Sequence, residues 1–284
     1  MATQSFLNRA RRAFHQALFD SVLSIDETDV PNNADRHSTR SVAYAQRMAE
    51  LIGLTAQKGK LAGQMVGSKF EEVCRGFVDS TFTELQPIRP GAWRCESTGG
   101  SSGIARFEQY AHLKALAELA EANPELASAL GMDYLIYPDI VILRMPEQDE
   151  DLNAKDVLVD EGCSRLTPLR AINNELPILH ASISCKWTIR SDRVQNTRSE
   201  ALNLIRNRKG KLPHIVAVTG EPLPARISSI ALGTGDMDCV YHVALYELQQ
   251  AVREHDEEGS EMLDIMISGK RLRDISDLPL DLAI

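Results

Sequence analysis

No stretch of this sequence approaches the roughly 18 consecutive apolar residues of a membrane-spanning helix, so no membrane partner is expected. The N-terminal segment mixes Arg9, Arg11 and Arg12 with short apolar stretches, which does not fit a signal peptide. Cysteine is scarce and odd in number: Cys74, Cys95, Cys163, Cys185 and Cys239 form no CxxC spacing. Reduced thiols in a cytoplasmic protein are the plain expectation. The seven histidines show no zinc spacing either, which argues against a metal held by thiolate or imidazole. The patterns GxGxxG and GxxxxGK[ST] are missing, and with them the usual marks of dinucleotide binding and P-loops. There is no internal repeat, and Gly and Pro supply only 29 of 284 residues, which excludes collagen-like and wholly disordered chains.

What is present is an ordinary globular composition, 43% hydrophobic and 25% charged, with a length that suits one large α/β domain. The net charge is −9. Taken whole, that argues against a nucleic-acid partner. The distribution argues the other way. Between Lys186 and Lys211 eight basic residues face two acidic ones, so that window is +6 and the remainder −15. A solvated basic face and a polyanion site both fit.

Periodicity predicts helices near 6–19, 41–52, 64–84, 106–120, 195–208, 242–254 and 261–267, with another opened by Asn123-Pro124. The polar segment 26–40 and the ESTGGSSG stretch at 96–103 read as loops. Glu147–Asp160 reads as an acidic surface excursion. Apolar β-branched runs predict buried strands at 140–143, 178–187 and 214–219. Strands alternating with helices favour an α/β fold with its sheet in the C-terminal half. No linker divides the chain, so 1–284 is expected to be one domain, a helical N-terminal half packed on the sheet.

One constellation carries chemistry. Asp139 opens the first strand, and Ser184-Cys185-Lys186 closes the second, where alternation puts Ser184 and Lys186 on one face and Cys185 on the other. Glu200 follows on the next helix. Two carboxylates and a lysine at a sheet edge suit metal-assisted phosphodiester hydrolysis: carboxylates hold Mg²⁺, and the lysine steadies charge on the phosphate. Spacing alone equally allows an Asp–Lys salt bridge at a strand end.

The surrounding text narrows this. The block LHASISCKWTIRSDR at 179–193, together with Phe70-Glu71, Tyr110–Leu113, Pro138-Asp139, RNRKG at 206–210 and ISDLPLDLA at 275–283, resembles the type II restriction endonucleases of the CCGG group, within the PD-(D/E)xK nuclease superfamily. The resemblance runs along most of the chain and implies a restriction-endonuclease-like fold, a central mixed β-sheet flanked by helices.

It also implies roles. Asp139 would be the central metal ligand, Cys185 would offer its backbone carbonyl to a metal, and Lys186 would be the catalytic lysine. Ser184 stands where most of the superfamily has its second carboxylate, and Glu200 would replace that acid. Glu71 would be a further active-site acid. Arg190, Asp192 and Arg193 would read a central CCGG, arginine bonding guanine O6 and N7 and aspartate accepting from cytosine N4. Asp35 and Arg226 would read the outer G·C pair, and Gln64 would approach the minor groove. The implied activity is Mg²⁺-dependent cleavage of double-stranded DNA at GCCGGC after the first G, with two ions per active site. A palindrome implies a two-fold dimer, and the family implies a tetramer of dimers, a prokaryotic cytoplasm and a cognate DNA methyltransferase encoded alongside. A repair or recombination nuclease of the same fold is the alternative, and it would need no separate base-reading residues.

Overall fold

The computed structural model describes residues 4–59, 63–98, 103–123, 125, 128, 136–233 and 235–284; the side chains of residues 57 and 191–193 lie outside the described set. The chain builds a six-stranded mixed sheet from β3 (Trp93–Ser97), β4 (Ile140–Arg144), β5 (Ile178–Lys186), β6 (His214–Thr219), β7 (Cys239–His242) and β8 (Leu272–Asp274), ordered as they occur in sequence. Two-residue strands β1 (Ser24–Ile25) and β2 (Gln57–Lys58) pair separately. The first three strands of the sheet form an antiparallel meander, and β5 to β8 run parallel. This is the expected mixed α/β architecture. No described helix is long and apolar enough to cross a membrane.

The longer helices among the described residues are α1 (Phe6–Ser21), α2 (Thr39–Ile52), α3 (Gly63–Phe82), α4 (His112–Ala122), α5 (Ser191–Asn207), α6 (Pro224–Ala231), α7 (Leu245–Arg253) and α8 (Glu257–Ser268). Ser5 and Ser38 start α1 and α2 by accepting from backbone N–H groups inside the first turn, as N-caps do. α1 packs on α3, with the Phe14 and Phe77 rings 5.0 Å apart, and α3 packs on β3 and β5. α6, α7 and α8 cover β7 and β8. One buried apolar cluster runs from Phe14 to Leu282 and includes the middle of every long strand. β5 is buried along both faces apart from its ends, as a central strand must be; His180 fits there because its Nε2 meets the Leu282 carbonyl at 2.7 Å.

Three expectations need correction. The sheet is not confined to the C-terminal half, because Trp93–Ser97 forms an edge strand against β4. Its first residues alternate inward and outward, but the glycine- and serine-rich text from Glu96 onward hides the signal, and Glu96 and Ser97 are strand, not loop. The helix expected from 106 begins only at His112. Before it, two 3₁₀ turns are held by buried Gln109, whose side chain donates to the Leu179 carbonyl at 2.7 Å and accepts from the Leu179 N–H at 3.0 Å. The acidic excursion is not simply solvated: Asp149 pairs with buried Arg170, whose guanidinium also donates to the Cys163 carbonyl at 2.6 Å. The helix expected after Asn123-Pro124 lies outside the described residues.

Candidate active site

Antiparallel pairing of Ile140 with Ile183 brings the residue before β4 to the end of β5. Asp139 Oδ2 there accepts from the Cys185 N–H at 2.7 Å and from Lys186 Nζ at 2.9 Å. Both side chains are about four-fifths covered, so this is not the loose surface bridge that contributes little. Burial alone would push the Lys186 ammonium down, yet Asp139, with help from Glu200, holds its pKa above the usual lysine value. Glu200 is raised by burial and by the charge of Asp139, against the pull of Lys186. Glu71 is raised by the same two causes in the same order. The four groups therefore share one electrostatic neighbourhood.

A divalent cation fits the donors present. Both hydrogen bonds to Asp139 land on Oδ2, so Oδ1 is the oxygen left to face a cation. Among the described residues Ser184 Oγ is buried without a hydrogen-bond partner, and the side-chain oxygens of Asp139 and Glu200 are hard donors of the kind Mg²⁺ prefers. Among the described residues no group of three or more His, Cys, Asp or Glu side chains is close enough to hold a metal. The Cys185 thiol, as expected, turns into the core beside Cys74, and that contact and burial push its pKa up.

β5 leads through a tight passage into α5. Trp187 packs on Phe70, ring centroids 5.1 Å apart, and its indole N–H donates to Asn32 Oδ1 at 3.1 Å. Ile189 is buried, and exposed Arg190 becomes the N-cap residue of α5. The helix thus starts at Ser191, earlier than expected, and the Arg-x-Asp-Arg run occupies its entrance. The side chains of Asp192 and Arg193 lie outside the described set.

Asp35 and Arg226 are joined by a salt bridge, both partly buried. Asp35 also accepts from the His37 N–H at 3.0 Å. That backbone bond first, then Arg226, lowers its carboxyl pKa. Arg226 sits in the first turn of α6 and has Nη1 3.8 Å from Glu221 Oε2. Gln64 and Glu71 lie two turns apart on α3, hence on one face. A single cleft of about 1410 Å³ is lined by Asp35, Gln64, Glu71, Cys185, Lys186, Arg190, Glu200 and Arg226. Asp139 borders it through Lys186. This volume exceeds the upper end of typical small-molecule pockets, roughly 1,000 Å³, and suits a polymer.

The expectations from sequence left out Asn32, Asn33, Trp187 and Glu221, which brace the cleft wall. Trp187 and the paired asparagines stood in plain text beside Lys186 and Asp35. Glu221 had one visible signal, an acid set between a buried strand and Pro222.

A family model described as "NgoMIV restriction enzyme" matches residues 14–284. The type II restriction enzyme NgoMIV of Neisseria gonorrhoeae is 54% identical over 278 residues, covering 96% of this chain and 97% of that protein. In this chain Asp139 and Lys186 pair where β4 begins and β5 ends, at one end of two interior strands and not at the expected sheet edge, beside the polymer-sized cleft. The chain belongs to the NgoMIV restriction enzyme family and is a type II restriction endonuclease.

Proposed function

We propose that this enzyme hydrolyses double-stranded DNA at GCCGGC, cutting after the first G, with Mg²⁺ held by Asp139, Glu200 and the Cys185 backbone carbonyl. When bound, Mg²⁺ polarises the scissile phosphate and lowers the pKa of a coordinated water. Lys186 stays an ammonium at neutral pH, because Asp139 holds its pKa up, and so it donates to a phosphoryl oxygen or the attacking water instead of removing a proton. Glu71, its pKa raised by burial, is the acid assigned to accept one, while Glu200 serves the metal. The buried Ser184 hydroxyl leaves room where a second strand carboxylate would otherwise stand.

Specificity follows from the same cleft. Arg190, Asp192 and Arg193 at the entrance of α5 read the central CCGG in the major groove. Cytosine N4 and guanine O6 are neighbours within one base pair, so a reader of G·C needs an acceptor beside a donor fork. The Asp35–Arg226 pair has that arrangement, and Gln64 approaches from α3 toward the minor groove. The observation that carries the reading is this pair sharing one cleft with Lys186 and its partner Asp139.

The palindrome calls for a two-fold dimer, and the large apolar side chains of Val157, Leu158, Leu166 and Ile172, all exposed on the segment braced by Arg170, support a further contact between dimers. The enzyme works in a prokaryotic cytoplasm beside a cognate methyltransferase. Digestion of a plasmid carrying one GCCGGC and several other NCCGGN sites, followed by end sequencing, tests the reading. Cuts confined to GCCGGC are expected. Cuts at every CCGG would remove the outer-pair assignment, and no cuts beside an active control would remove the target altogether.

A further inference from the structure

Glu221 lies in the turn between β6 and α6 and has no exposed surface. Its Oε2 accepts from the Ile189 N–H at 2.9 Å, and its Oε1 accepts from the Leu223 N–H at 3.2 Å. Arg226 Nη1 stands 3.8 Å from Oε2. Beside it, the Gly220 carbonyl accepts from Asn33 Nδ2 at 2.8 Å. Three segments meet here: the one ending in Asp35, the passage presenting Arg190, and the start of α6 with Arg226.

A carboxylate in such a place is expensive. Burial pushes Glu221 up to about 7, against the pull of two backbone N–H groups and Arg226 and with a further push from Asp35. A neutral glutamine oxygen could accept a backbone N–H there without that cost, so the charge itself needs a reason. We propose that Glu221 is the positioning residue that couples the two readers: one oxygen fixes the main chain presenting Arg190, and the same carboxylate steadies the Arg226 guanidinium against Asp35. The inference rests on Arg190 and Arg226 being base readers, as set out above.

The charged and titratable groups facing Glu221 are Arg226 from α6, Asp35 from the segment before α2, and His242 from β7, whose Nε2 lies 3.2 Å from the Glu221 carbonyl. Asp35 has a lowered pKa, and burial holds His242 at about 4. Of these groups, Glu221 is the one that changes charge near neutrality. His37 borders Asp35, not Glu221, and a Glu221 variant separates the two.

The test is the ratio of kcat/KM for a GCCGGC duplex to that for duplexes altered at the outer or at a central pair, from about pH 6 to about pH 8.5. Wild-type enzyme, Glu221→Gln and Arg226→Ala are compared. In wild type the outer-pair ratio should rise about tenfold through neutrality, as Glu221 gains its charge 3.8 Å from Arg226 Nη1. Glu221→Gln should lower the outer and central ratios together and flatten the profile. Wild-type ratios and an unchanged profile in Glu221→Gln overturn the proposal. If instead Arg226→Ala leaves the outer ratio intact, the outer-pair reading itself fails and takes the coupling with it. Should Glu221→Gln not fold, the unmodified enzyme decides: a rise in wild type that is absent in Arg226→Ala supports the coupling, and a flat wild-type ratio overturns it.

Discussion

Lys186 and Asp139 stand 47 positions apart in sequence and meet at 2.9 Å, because an antiparallel strand pair sets the residue before one strand against the last residues of the next. The same aspartate oxygen takes the Cys185 N–H. The Lys186 side chain and the Cys185 backbone are thus fixed by one atom.

Replacing Asp139 separates chemistry from recognition. Asp139→Ala should abolish cleavage, a loss of at least about 10³-fold, and leave binding to a specific duplex largely in place. Single-turnover cleavage with Mg²⁺ and fluorescence anisotropy without it measure the two. Equal loss of both would remove Asp139 from the catalytic assignment.

The entrance of α5 makes a base-by-base prediction. Asp192→Ala should lower discrimination at its C·G pair by about 1–3 kcal/mol, the usual worth of a good base contact. A binding series against single-pair site variants checks it, and unchanged discrimination rejects the assignment.

The acids of the cleft predict a pH dependence. Glu200 and Glu71 have folded-state pKa values raised above the usual carboxylate range, with burial as the leading cause. An acid raised in the folded state favours folding at low pH, and that contribution disappears as pH rises through the folded value. Glu200→Gln should therefore melt at a higher temperature than wild type near pH 8 without metal, with the gap closing near pH 4, while losing cleavage. A gap that is constant with pH would contradict the raised pKa.

How much of this was legible in sequence depended on whether the signal was local. The runs at 140–143, 178–187 and 214–219 are apolar and β-branched, and they became β4, β5 and β6 nearly to the residue. β7 and β8 were not legible, because four and three residues carry no periodicity and are strands only through the ladder of a neighbour. Alternation along β5 foretold Lys186 beside Asp139. Nothing local foretold Asp35 beside Arg226, which came from resemblance alone. Glu221 was missed for a different reason: its place between a buried strand and Pro222 is a weak signal, and a lone acid reveals burial only after the fold has closed around it.

Gly220 offers a test of the wall behind the cleft. A Cβ there would fall 2.5 Å from Trp187 Cζ3, and the indole is held by Asn32 on one side and Phe70 on another. Gly220→Ala should cost about 1–3 kcal/mol, the usual penalty of overpacking, read as a lower urea midpoint with unchanged m-value. A wild-type midpoint would mean that Trp187 yields easily.

The exposed apolar residues of the segment braced by Arg170 predict assembly. Leu166→Asp with Ile172→Asp should reduce a tetramer to dimers in sedimentation velocity and leave the melting temperature nearly unchanged, since both side chains are largely in solvent. Unchanged sedimentation would place the contact between dimers elsewhere.

Asp35 and Arg226 satisfy each other across 191 positions of sequence, and this has an evolutionary consequence on the proposed reading. Changing either residue alone breaks the pair and first produces an enzyme that tolerates more outer pairs. For a restriction enzyme that outcome is dangerous, because sites left unmodified by its methyltransferase would be cut in the host chromosome. A new outer-pair preference therefore requires two substitutions in distant codons, with a matching change in the methyltransferase. The ion pair acts as a lock on drift in the target site.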